Sequence, residues 1–235
     1  MGIAWSVLLC VGAGQAYAQT PPVPEVPAQP AVVPHIIFSR DWPSAGVPKV
    51  TFEVDRNGRG TYIGAQALPA VRGAATSPAA QPFSRTFSVS ATTADRIFAL
   101  AQQAGHFNVN CASKAKNIAD TGSKTLSYAG PDGAGSCTYN YSEDRAVTEL
   151  AALLQGIMET MDTGRELDRL HRYDRLGLDD AMASLAQEVS DGRALELGTI
   201  VPSLHSIAAD TEVMLRVRTR AAALLKLIPP DVATR

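Results

Sequence analysis

Asp120 is the residue whose neighbours most suggest chemistry. It opens the run Asp120-Thr121-Gly122-Ser123, in which a carboxylate stands beside a hydroxyl and a glycine. A carboxylate hydrolyses an amide only in partnership. A second acid must share its proton, so that one form activates water while the other polarises the carbonyl. A single loop of this kind would take its second carboxylate from a second copy of the chain. The residues leading to it, Ala112 to Ala119, include Lys114 and Lys116 and have the polarity of a solvated loop.

Asp120 to Ser123 resembles the loop that carries the catalytic carboxylate in aspartic peptidases. The resemblance covers four residues and implies a periplasmic hydrolase with Asp120 as its acid. In that family the loop follows a very hydrophobic strand, which Ala112 to Ala119 do not supply. The residues themselves favour a turn, with Asp120 and Gly122 leading into a strand at Lys124.

Cys111 and Cys137 offer different chemistry. In an oxidising compartment two such cysteines pair, and closing a loop of 26 residues stabilises a fold by about 3 kcal/mol. The rival is a metal site that adds His106, but His106 and Cys111 lack the short paired spacing of zinc ligands. No metal and no cofactor are expected. Serine chemistry finds no Gly-x-Ser-x-Gly elbow, and His35, His106, His171 and His205 sit in unrelated contexts.

Two sets of side chains suggest binding surfaces. Tyr128, Tyr139 and Tyr141 alternate along strand-like segments; they form either a platform for a glycan or peptide or cross-strand packing pairs. Arg216, Arg218 and Arg220 either meet an anionic partner or pair with local acids such as Asp210 and Glu212. Asn140-Tyr141-Ser142 fits the glycosylation acceptor pattern.

The elements that must position these residues follow from patterning. Ile3 to Gly14 is a short apolar run, and Ala16-Tyr17-Ala18 is a small-x-small cleavage pattern before Gln19, so residues 1–18 read as an export signal despite having no Lys or Arg ahead of the run. The run falls short of the roughly 20 apolar residues of a transmembrane span. A secreted or periplasmic location follows. With 46% hydrophobic and 19% charged residues the chain has a folded composition, and its net charge of -2 argues against a nucleic-acid partner. Residues 19–48 hold eight of the 15 prolines and read as an extended spacer with neither helix nor central strand.

From residue 49 the period changes. Val50, Phe52 and Val54 alternate as a half-buried strand, Asn57-Gly58 turns it back, and Phe83, Arg85 and Phe87 share one face of a third strand. Thr92 with Asp95 resembles a capping box for a helix carrying Ile97, Leu100, Ala101 and Ala104 and ended by Gly105. A hairpin over Lys124–Ser142 completes an α+β domain, residues 49–141. Residues 142–228 read as about four helices, the first of them starting at Ser142, with a tail at 229–235. The fold class is therefore α+β: a small antiparallel sheet with one covering helix, followed by an all-α bundle.

Pro202, Leu204, Ile207, Asp210, Arg218, Ala221 and Leu225 resemble one HEAT-type helical repeat, over residues 200–228. The resemblance implies a packing or binding role and no catalysis. Together these readings describe an exported, non-catalytic binding or structural module of the cell envelope, with an unidentified protein or glycan partner.

Overall fold

The computed structural model describes residues 33–45, 47–67 and 79–229. The export signal and most of the proline-rich spacer lie outside the described residues. Six strands form one antiparallel sheet: β1 (His35–Asp41), β2 (Lys49–Asp55), β3 (Arg59–Gln66), β4 (Gln81–Ser88), β5 (Ser123–Gly130) and β6 (Gly133–Tyr139), in the order β4-β3-β2-β1-β5-β6. Among the described residues five α-helices accompany it: α1 (Ala91–Gln103), α2 (Arg145–Tyr173), α3 (Gly177–Ser190), α4 (Val201–Ala209) and α5 (Leu215–Leu225). This is an α+β fold with its helices mostly in the C-terminal half.

β1 corrects the reading of residues 19–48. A central strand runs inside that stretch, paired with β2 on one side and β5 on the other. Pro34 and Pro43 bracket the strand without entering it, so the proline-free run between them keeps every donor the ladder needs. Ile36 and Phe38 are fully buried. The inner face continues across the register Cys137, Leu126, Phe38, Phe52, Tyr62. Phe87 stacks on Phe52 with ring centroids 4.4 Å apart. The outer face is a field of hydroxyls, with Ser39–Thr51, Thr125–Thr138 and Ser127–Ser136 bonded across strands.

Two helices, not one, cover the inner face. α1 carries Ile97, Leu100 and Ala101 onto it, and the first half of the 29-residue α2 adds Leu150, Leu154 and Ile157 to the same core. Asp144 starts α2 by accepting from the Val147 N–H at 3.0 Å. The helix runs on through Gly164, and beyond it Leu167 and Leu170 join Leu178, Leu204 and Val217 in a second core among α3, α4 and α5. Gly164 permits this, because a Cβ there would collide with Ile200. All the described residues belong to one compact unit.

The start of α1 is fixed from far along the chain. Ser90, not Thr92, is the N-cap, its hydroxyl accepting from the Thr93 N–H at 3.2 Å. Glu196 completes the cap: its carboxylate accepts from the Ser90 N–H at 2.9 Å, the Ser90 hydroxyl at 2.7 Å and the Thr93 hydroxyl. Glu196 does so from a left-handed backbone, φ 52°. Replacing it by Ala leaves these donors partly buried and unpaired. Glu196→Ala should lower the unfolding free energy by about 1–3 kcal/mol in urea titration, with an unchanged denaturant slope.

Candidate functional site

At the C-terminal end of α1 the chain takes an unusual path. Gly105, His106 and Phe107 are three consecutive left-handed residues, with φ of 60°, 52° and 62°. For the two that carry side chains this conformation costs about 1–2 kcal/mol each. Phe107 is fully buried, which anchors the turn in the core. Its N–H donates to Ala104 O, and the Asn108 N–H donates to Gly105 O, both at 3.1 Å. Gly135 on β6 lets the turn lie close, since a Cβ there would collide with the His106 carbonyl. The Cys111–Cys137 disulfide then ties the following segment to the same strand.

The turn aims an imidazole. The His106 ring lies flat against Tyr128, centroids 4.2 Å apart and planes 11° from parallel. His106 Nε2 is 3.4 Å from Asp132 Oδ2. The Tyr128 hydroxyl donates to the other Asp132 oxygen. Burial and this bond raise the Tyr128 hydroxyl from 10.0 to about 12, and the same bond holds Asp132 below the usual carboxylate range. Across from them Arg56 pairs with Asp95 at 2.6 Å and lies over the Phe98 ring, 5.2 Å from its centroid. These groups line an open recess of about 320 Å³. Arg56 and Asp95 also border a second recess of about 490 Å³ beside Asn57, Arg59 and Ala91.

Chemically, the recess presents an oriented imidazole, a guanidinium, two carboxylates and two aromatic rings. No serine, threonine or cysteine is among its described lining residues. The arrangement suits hydrogen bonding and stacking with a polar ligand more than covalent attack on one. Sequence reasoning singled out Tyr128 and His106 separately and did not join them with Asp132 and Arg56 in one site. The only signal was Gly105 at the end of a helical pattern, and nothing in the residue types shows that the left-handed path continues through His106 and Phe107. Asp132 sits in the tight β5–β6 turn, where Gly130 faces Gly133.

Of the residues singled out from the sequence, His106 and Tyr128 lie in this recess, and the others fall elsewhere. Asp120 is exposed, and its carboxylate accepts from the Gly122 N–H at 2.9 Å, in a turn that enters β5. Among the described residues no hydrogen bond joins Asp120 to another carboxylate. Asp-Thr-Gly in fact occurs twice: Asp162-Thr163-Gly164 repeats it inside α2, where a helix replaces the loop. The Asp162 carboxylate accepts from the Tyr62 hydroxyl at 3.1 Å and pairs with Arg165 at 3.2 Å, and burial raises its pKa. Asn140, of the glycosylation pattern, donates its side-chain N–H to Ala119 O at 2.9 Å and receives the Thr121 N–H at 2.9 Å.

The three tyrosines do not share one open face. Tyr128 and Tyr139 lie on the inner face with Leu126 and Cys137 and are buried, because strand alternation turns both inward; Tyr141, past the end of β6, is 49% exposed. The arginines separate as well. Arg216 and Arg220 both close on Asp179 of α3 at 2.7 Å, while Arg218 lies between them on another side of the helix. Asp210 and Glu212, the acids expected to take them, bind Arg175 instead, at 3.5 and 2.8 Å. Cys111 and Cys137 are consumed by the disulfide, so among the described residues His106 has no thiolate neighbour. Among the described residues no cluster of three metal-ligating side chains occurs, and no helix is long and apolar enough to cross a membrane.

Two measurements check this geometry. Removing the disulfide by Cys111→Ala with Cys137→Ala should cost about 3 kcal/mol in urea titration. Tyr128 has a folded pKa above its unfolded one, so the stability it contributes is complete below pH 10.0 and disappears as pH rises through about 12. Tyrosinate absorbance should therefore be the same for the wild type and Tyr128→Phe up to about pH 11.

No protein-family model matches the chain, and comparison with curated proteins finds no match.

Proposed function

We propose that the chain is an exported, non-catalytic binding module of the cell envelope, and that the recess at His106, Tyr128 and Asp132 is its ligand site. The observation that carries the reading is the left-handed turn of Gly105, His106 and Phe107. Backbone strain of this kind persists only where surrounding structure enforces it, and it clusters at ligand sites. Here it sets an imidazole at the mouth of a recess. Holding the ring in advance reduces the ordering cost of binding.

Export rests on the apolar run Ile3 to Gly14, the Ala16-Tyr17-Ala18 pattern and the disulfide, which persists in oxidising compartments. The partner class is an envelope glycan or protein, whose polar groups suit the guanidinium and imidazole. The HEAT-type reading of residues 200–228 fits a packing role. Leu204, Ile207, Val217 and Ala221 of α4 and α5 are buried in one core with α2 and α3, so that apolar face is already closed within the chain.

Two tests follow. Expressed in a bacterium with its own N-terminus, the protein should lose residues 1–18 and show thiols that alkylate only after reduction, read by intact mass; a full-length chain with free thiols would remove the compartment assignment. Glycine accepts the left-handed conformation, so His106→Gly removes the ring while keeping the turn. Titrating labelled protein with envelope glycan and peptide fragments should shift the amide signals of Gly105 to Phe107 and of Gly133. His106→Gly should weaken that binding about tenfold with little change in melting temperature.

A further inference from the structure

A second polar groove lies elsewhere on the chain and shares none of the residues of the His106 recess. Arg165, Arg169 and Arg172 recur at a spacing of four and three along α2, which puts them on one stripe of the helix. The edge strand β4 places Arg85 beside them, and the four arginines line a groove of about 310 Å³ with Phe83 and Tyr173. Groups already present hold each guanidinium. Arg165 lies over the Phe83 ring at 3.7 Å from its centroid, Arg85 pairs with Asp168 at 2.8 Å, and Glu166 binds Arg169 through both oxygens at 2.8 and 2.6 Å. Arg172 lies near the Tyr173 ring, 5.9 Å from its centroid.

The charges do not cancel. Glu166 and Asp168 are the acids lining the groove, and Asp162 sits behind Arg165. Four guanidiniums against these three carboxylates leave one positive charge in excess, in a chain whose net charge is -2. Arg172 has no carboxylate partner among the described residues. Tyr173 is 74% exposed, an open aromatic face at the end of the cationic row.

We propose that this groove binds a phosphate-bearing ligand. Guanidiniums present planar pairs of N–H donors that match two phosphate oxygens at once, and they are weakly hydrated for their charge. An arginine paired with a carboxylate on one edge still has N–H donors on its other edge. An anionic phosphoryl group takes the place that Arg172 leaves uncompensated. The Tyr173 ring takes the adjoining planar or apolar part of the ligand. A lipid headgroup and a soluble phosphate ester share this chemistry.

The test titrates the full chain with pyrophosphate while following arginine Nε–Hε signals, and separately measures sedimentation with vesicles of phosphatidylglycerol or of phosphatidylcholine. Arg172→Gln removes a side chain with no carboxylate partner, and Arg85→Gln changes the opposite wall; melting temperature confirms that each variant is folded. Pyrophosphate should shift the groove arginines, and each variant should weaken it about tenfold, with binding that falls as salt rises. Sedimentation with phosphatidylglycerol alone, lost in the same variants, identifies a headgroup as the phosphate source, whereas pyrophosphate binding without vesicle binding identifies a soluble ester. Absence of any shift with pyrophosphate together with equal behaviour toward both vesicles overturns the proposal, as does binding that both variants leave unchanged.

Discussion

α2 is the constraint on which the rest of this chain depends. Its first half lies on the sheet and its second half supports α3, α4 and α5, so the two hydrophobic cores share one rigid element. A helix can serve two cores only if its sequence changes partner along its length. Gly164 marks the change, because the missing side chain lets Ile200 approach the helix axis. On the same stretch Asp162 reaches back to Tyr62 on β3, and Arg165 reaches Phe83 on β4. The helical half thus holds the sheet by polar ties near the middle of α2 and by apolar packing along its first half. Glu196 adds a third tie by capping α1 from beyond α3.

The His106 recess shows how local strain survives in such a frame. Two non-glycine residues in left-handed conformation together cost about 2–4 kcal/mol. A disulfide closing this loop contributes about 3 kcal/mol, and burial of Phe107 adds to it. The strain and the means of holding it are therefore of similar size. The irregular segment after α1 needs the bridge to β6 because it makes few ladder bonds of its own. Its aromatic stack, in turn, lies on Tyr128, which is fixed by Asp132 in the β5–β6 turn.

Much of the architecture was legible in the residue order. Alternation at Val50, Phe52 and Val54, the Asn57-Gly58 turn and the apolar stripe of α1 each specify an element by their period alone. β1 was not legible, because eight prolines in residues 19–48 mask a proline-free run too short to stand out. The candidate site was less legible still. Cys111 and Cys137 pair as their context implies, but a left-handed turn at His106 arises from tertiary enforcement, which no residue type announces. At Asp120 the residues themselves favour a turn, and a turn is present. Its tetrapeptide suggests catalysis, while its carboxylate serves the turn that brings the chain into β5. The second Asp-Thr-Gly, within α2, shows that three residues specify no conformation by themselves.

The recess beside His106 is proposed to meet a partner in the envelope. Site-specific photo-crosslinking in intact cells tests it most directly, because the partner need not be known in advance. A photoreactive residue at Gln102, on the recess wall, is compared with one at Ser184 on α3. An envelope adduct is expected from position 102 alone, lost when His106 is also changed to Gly. Adducts of equal yield from both positions, or an adduct at 102 that survives loss of the imidazole, would contradict it.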